Sequence, residues 1–139
     1  MKLFVDTSGL FAAIDRSDIQ HSDAKATLER LLREKVEMHT TSYVLLEMLA
    51  LLQARIGLPA AIAFEQDMKP ILRIIWMTDV LHQRAFQRLV TKQQRKLSLV
   101  DCASFVVMEE LELTSVFGYD THFAKEGFRL VNTAEDVMP

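Results

Sequence analysis

The chain has 139 residues, half of them hydrophobic and a quarter charged. This is the composition of one compact domain over residues 1–139 and excludes a disordered or fibrous chain. Cys102 is the single cysteine, so no intrachain disulfide forms and a reducing compartment is the natural setting. Sixteen Lys and Arg against 19 Asp and Glu leave a formal charge of −3. That balance argues against a general phosphate-coating protein, unless several carboxylates gather around a divalent cation and invert the local field.

The longest apolar run, Val44 to Leu52, is broken by Glu47 and falls well short of the roughly 20 residues a spanning helix needs. Asp6 closes the apolar start too early for a signal peptide. No membrane association and a cytoplasmic location are the expectations.

Lys2 to Val5 is a short apolar run ending at Asp6-Thr7-Ser8-Gly9, which predicts a strand followed by a helix from Thr7 to about Ile14. Ala24, Leu28, Leu31 and Leu32 recur at helical spacing between His21 and Lys35. Val36 to Thr40 is the second predicted strand. Thr41 and Ser42 offer N-caps for an apolar helix that runs to about Ile56 and stops at Gly57. Pro59 suits the first turn of a further helix over Ala60 to Met68. Arg73 to Met77 reads as a third strand, and Thr78 or Asp79 caps a helix from Val80 to about Arg95. Ser98 opens a helix over Leu99 to Leu111. Thr114 to Tyr119 and Phe128 to Val131 are the fourth and fifth predicted strands, with a short helical turn from His122 to Glu126 between them.

Strands alternating with helices predict a mainly parallel sheet of four to five strands with helices on both faces, a three-layer α/β/α architecture. Ligands in such sheets collect beyond the carboxyl ends of the strands. Asp6 and Asp120 both stand at such ends.

Four acids carry the chemistry. Asp6 directly follows the first strand and also suits an N-cap. Glu47 interrupts a helix that is apolar on nearly every face, where an unpaired carboxylate is costly unless a cation or donors meet it; its bland alternative is a narrow solvent-facing stripe. Asp101 stands three residues after Ser98, the spacing of a capping box. Asp120 follows the fourth strand and can cap the next helix. Each is weak evidence alone. Several oxygen donors converging without cysteine or histidine favour a hard cation, Mg²⁺ or Mn²⁺. Such an ion takes one or two carboxylates plus phosphate oxygens, which suits phosphodiester hydrolysis.

Arg84, Arg88 and Lys92, followed by Arg95 and Lys96, form a basic stripe that leads into Ser98 and Asp101. It reads either as an RNA phosphate track through Arg84, Arg88, Lys92 and Lys96 or as a solvated helix face. His122 lies two residues after Asp120, and spacing alone assigns it no role. Cys102 has no His-Asn company and reads as a small buried apolar residue. Trp76, Phe105 and Phe117 read as core.

The chain resembles the PIN-domain family, and within it the small toxin ribonucleases of VapC type. The resemblance is carried by Phe4-Val5-Asp6-Thr7-Ser8, Asp15-Arg16-Ser17-Asp18 with His21 and Ala24, and Glu47 in its apolar helix. It continues through Leu97-Ser98-Leu99-Val100-Asp101-Cys102-Ala103 and Gly118-Tyr119-Asp120-Thr121-His122-Phe123 with Gly127-Phe128. It implies Asp6, Glu47, Asp101 and Asp120 as an acidic quartet, with Thr7 and Ser98 orienting Asp6 and Asp101. It further implies hydrolysis of RNA to 5′-phosphate and 3′-hydroxyl ends. A toxin of this kind would be a homodimer, and a cognate antitoxin would cover its active site with an apolar helix and a basic tail.

One departure stands out. The family often places Thr or Ser two residues before the fourth acid, and Gly118 stands there, which predicts weaker support for Asp120. The rival readings are a non-catalytic PIN-like scaffold and a PIN nuclease with a housekeeping RNA-processing role. A phosphohydrolase of the haloacid-dehalogenase type would want a second aspartate where Ser8 stands.

Overall fold

The structure is a computed structural model that describes residues 1–137. Five strands form one sheet: β1 (Lys2–Val5), β2 (Glu37–Thr41), β3 (Leu72–Ile75), β4 (Ser115–Phe117) and β5 (Arg129–Val131). Their order is β3-β2-β1-β4-β5, and every pairing is parallel. The expected α/β/α architecture with a central parallel sheet is what the chain adopts. β1 lies in the middle, and Leu3, Phe4 and Val5 are completely buried. That is why it reads as an unbroken apolar run rather than an alternating one.

Among the described residues seven α-helices flank the sheet: α1 (Thr7–Ile14), α2 (His21–Arg33), α3 (Ser42–Arg55), α4 (Leu58–Ala63), α5 (Asp79–Lys92), α6 (Leu99–Glu110) and α7 (Thr121–Lys125). Most boundaries follow the local signals. The Thr41 hydroxyl accepts from the Val44 N–H to open α3, and Thr78 does the same for Leu81 at α5. Two predicted helices change. The expected helix over Ala60 to Met68 is α4 followed by a π-helical turn over Phe64–Met68 and a 3₁₀ turn over Lys69–Ile71. α5 stops at Lys92 because Gln93 takes a left-handed conformation, φ 48°, short of the predicted Arg95. No helix among the described residues is long and apolar enough to cross a membrane.

The core is continuous on both sides of the sheet. Phe105 of α6 and Phe123 of α7 meet edge to face with centroids 5.0 Å apart, and both are fully buried, as is Phe117. Trp76, expected in that core, is instead 61% exposed. It follows β3, an edge strand, so one of its sides faces no neighbouring strand.

The sheet order places a topological switch between β1 and β4. From β1 the chain moves outward to β2 and β3, and from β4 it moves the other way to β5. The crevice beyond the carboxyl ends of such a strand pair is where open α/β sheets bind ligands. The Asp6 N–H donates to the Phe117 carbonyl at 3.0 Å, extending the pairing into that crevice. Gly9 of α1 presses against the same place, and a Cβ there would lie 2.7 Å from the Phe117 oxygen. Gly9→Ala is therefore expected to cost about 1–3 kcal/mol of stability by overpacking. Urea unfolding measures it, and an unchanged midpoint would contradict this packing.

Candidate metal centre

Asp6 and Asp120 end up side by side because they follow the neighbouring strands β1 and β4. Each is the N-cap of the helix that follows: Asp6 Oδ2 accepts from the Ser8 N–H at 3.3 Å, and Asp120 Oδ1 from the His122 N–H at 2.9 Å. Asp101 arrives on the first turn of α6. It forms the capping box expected from its spacing, with the Ser98 N–H donating to Asp101 Oδ2 and the Asp101 N–H donating to Ser98 Oγ, both at 3.1 Å. Three helix N-termini thus converge on one crevice, and their partial positive ends favour negative charge there.

Asp6 is 4% exposed and Asp101 9%. Burial, the Asp101 charge and the Asp120 charge together raise the Asp6 pKa to about 7, against the lowering effect of the Ser8 hydrogen bonds. Burial and the Asp120 charge likewise push Asp101 up. Among the described residues, neither Asp6, Asp101 nor Asp120 forms an ion pair with lysine or arginine, and Asp120 meets only His122. Ligand atoms of Asp101, Asp120 and His122 lie within 4.8 Å of one another. Such crowded, largely buried oxygens without a lysine or arginine partner fit a hard divalent cation.

Glu47 stands apart from this trio. It is half-buried and lines an apolar recess of about 290 Å³ with Tyr43, Leu46, Ala50, Leu99 and Val100. Leu99 and Val100 belong to the turn that carries Asp101, so Glu47 faces the same helix start. The apolar helix expected to be buried all round is open on this side, with Leu46 68% exposed. That exposure spares Glu47 the full desolvation cost its sequence context suggested.

One of the two expected orienting contacts, that of Ser98 with Asp101, is present, and the other is not. The Thr7 hydroxyl is buried without a hydrogen-bond partner among the described residues. Ser8 orients Asp6 instead: its Oγ donates to Asp6 Oδ2 at 2.7 Å and accepts from the Tyr119 N–H at 2.9 Å. Gly118 makes that bridge possible, because a Cβ there would sit 2.9 Å from Ser8 Oγ and 3.2 Å from Asp6 Cβ. The position adjoins Asp6, and Asp120 draws its support from His122, whose Nδ1 is 2.9 Å from Oδ1. The only sequence sign of the Ser8 bridge was the pairing of a serine after Asp6 with a glycine before Asp120.

The predicted phosphate track is largely occupied. Arg84 pairs with Glu110 at 3.2 Å, Arg88 with Glu109 at 2.7 Å and Glu126 at 2.6 Å, and Lys92 with Glu126 at 3.0 Å. α5 packs this stripe against α6 and the end of α7, where periodicity alone could not place carboxylates. Lys96 and its neighbour Arg95 are exposed and form no ion pair among the described residues. Cys102 is buried, and its thiol is pushed up by burial, as expected of an inert core residue.

The electrostatics set a pH dependence. An unfolded aspartate titrates near about 4, whereas folded Asp6 titrates at about 7. The metal-free fold therefore keeps its full stability below the unfolded value and loses it as pH rises through 7, on the order of 3–4 kcal/mol in all. Urea unfolding in EDTA from pH 4 to 8 should show this decline in the wild type and a clearly shallower one in Asp6→Asn, where the raised Asp101 remains. Parallel profiles would refute the assignment.

Comparison with known proteins agrees with this geometry. A family model described as "PIN domain" matches residues 3–128. The 23S rRNA-specific endonuclease VapC20 of Mycobacterium tuberculosis is 34% identical over 128 residues, covering 91% of this chain and 95% of that one. The crystal structure of M. tuberculosis VapC20, a sarcin–ricin loop cleaving toxin, superposes with a TM-score of 0.81 at 32% identity over 99% of both chains. VapBC2 from Rickettsia felis, bound to a DNA fragment from its promoter, has a TM-score of 0.68 at 15% identity, covers 96% of this chain and 99% of its own, and shares the fold. By its sequence, its sheet and the family model that spans most of its length, the chain belongs to the PIN-domain family.

Proposed function

We propose that this chain is a divalent-metal-dependent endoribonuclease, the toxin of a toxin–antitoxin pair, acting in the cytoplasm. The observation that carries the reading is the convergence of Asp6, Asp101 and Asp120 at the β1–β4 switch, where among the described residues no lysine or arginine pairs with them and Asp120 meets only His122. Asp6 and Asp101 are the direct ligands of Mg²⁺ or Mn²⁺, while Glu47 and Asp120 act through water or complete a second ion position. When bound, such an ion polarises a phosphate oxygen and lowers the pKa of a bound water. The protein's own part is to keep the carboxylates preorganised: Ser8 holds Asp6, the capping box with Ser98 holds Asp101, and His122 holds Asp120. The products are 5′-phosphate and 3′-hydroxyl ends. The name of the VapC20 relative makes 23S rRNA and its sarcin–ricin loop the first substrates to test.

RNA also needs cations along its backbone. With Arg84, Arg88 and Lys92 tied to glutamates, the phosphate contacts fall to Arg95 and Lys96. They sit in the connection that buried Leu97 anchors immediately before Ser98 and Asp101. Exposed apolar side chains offer surfaces for an antitoxin and for a second copy of the chain. They form two groups, Leu46, Ile56, Leu58 and Ile62 around α3–α4, and Val80, Phe86 and Val90 on α5.

Purified protein is expected to cleave RNA with Mg²⁺ or Mn²⁺ and to lose activity in EDTA. Asp6→Asn and Asp101→Asn should each lower cleavage at least about 100-fold with the circular dichroism spectrum intact; full activity in both variants, or in EDTA, ends the proposal. The Arg95→Gln, Lys96→Gln double variant should bind single-stranded RNA more weakly and flatten the slope of log K against log salt by about 1.4. An unchanged slope would move the contact elsewhere.

A further inference from the structure

We propose that Arg88, paired with Glu126, is a positioning residue that holds the metal-binding end of α7 in place. This rests on the metal-dependent reading above and concerns residues at the opposite end of that helix. α7 spans only Thr121–Lys125, and a helix of that length has no stability of its own. Its N-cap is Asp120 and its C-cap is Glu126, about 9 Å apart along the axis at 1.5 Å per residue. Whatever fixes Glu126 therefore fixes the direction in which Asp120 and His122 point.

Arg88 reaches α7 by two routes. Its Nη2 donates directly to Glu126 at 2.6 Å, and Lys92 adds a second bond to the other carboxylate oxygen at 3.0 Å. Its guanidinium also lies over Phe105, 5.2 Å from the ring centroid. Phe105 in turn meets Phe123 of α7 edge to face. The Arg88 and Glu126 side chains are only 20% and 13% exposed, so the pair is shielded from salt and water in a way a surface pair is not. Glu109 takes the remaining arm at 2.7 Å, which fixes the guanidinium plane. A planar fork with several directed donors suits this junction, whereas an ammonium would act as a point charge. Arg84 supplies the internal comparison. It sits one turn earlier on α5, and its ion pair is with Glu110 of α6, at 46% and 60% exposure, rather than with α7.

The test is Mn²⁺ affinity of the full chain, measured by calorimetry and by the electron paramagnetic resonance signal of free Mn²⁺, without RNA. Arg88→Met keeps the apolar stem over Phe105, and Glu126→Gln keeps the shape of the C-cap. Each is expected to weaken Mn²⁺ binding by about tenfold, the scale on which ligand-orienting groups act. The double variant should be no weaker than either single one, because both remove the same contact. Arg88→Lys should recover part of the loss, and Arg84→Gln should bind like the wild type. Wild-type affinity in folded Arg88→Met and Glu126→Gln overturns the positioning role, as do losses that multiply in the double variant. Should Arg88→Met fail to fold, the near-isosteric Glu126→Gln decides by the same criterion. Absence of Mn²⁺ binding in the wild type would instead overturn the metal-dependent reading itself.

Discussion

Carboxylates that crowd one another in a largely buried crevice are the constraint on which this molecule turns. Asp6 and Asp101 are almost fully buried, and burial together with neighbouring aspartate charge raises the energy of their charged forms. Removing an ion from water is expensive unless something opposite in charge meets it. Within the chain the compensation is partial. Each acid lies at a helix start and accepts from backbone N–H groups, and three helix N-termini aim their partial positive charge at the crevice. What remains uncompensated is the attraction for a divalent cation.

The distribution of positive charge follows the same logic. A lysine or arginine reaching the trio would relieve the repulsion and occupy the place of a metal. On α5, Arg84, Arg88 and Lys92 are instead paired with glutamates on α6 and at the end of α7. The acidic surplus is therefore not spread evenly: Glu109, Glu110 and Glu126 pair with lysine or arginine, and among the described residues Asp6, Asp101 and Asp120 do not.

Much of this was legible beforehand, and the reasons are local. The unbroken apolar run Leu3-Phe4-Val5 before an aspartate announces a central parallel strand, and the Ser98–Asp101 spacing announces a capping box. Both are properties of adjacent residues. The misread positions were those whose partners are remote in the chain. Thr7 carried the expected orienting role because it is next to Asp6. The structure assigns it to Ser8, which needs the backbone of Tyr119 and the missing side chain of Gly118. Trp76 looked like core on composition, but its strand lies at the sheet edge. The α5 stripe looked free because its glutamate partners are 21 to 38 residues away.

By itself the sequence determined the alternation of strands and helices, the helix starts and the placement of acids at strand ends, because these depend on side-chain period and on hydrogen bonds reaching three or four residues. Only the tertiary structure decided which acids meet, which hydroxyl steadies them and which cations remain free. Those outcomes depend on β1 pairing with β4 across more than a hundred residues of chain, and no local rule specifies that register.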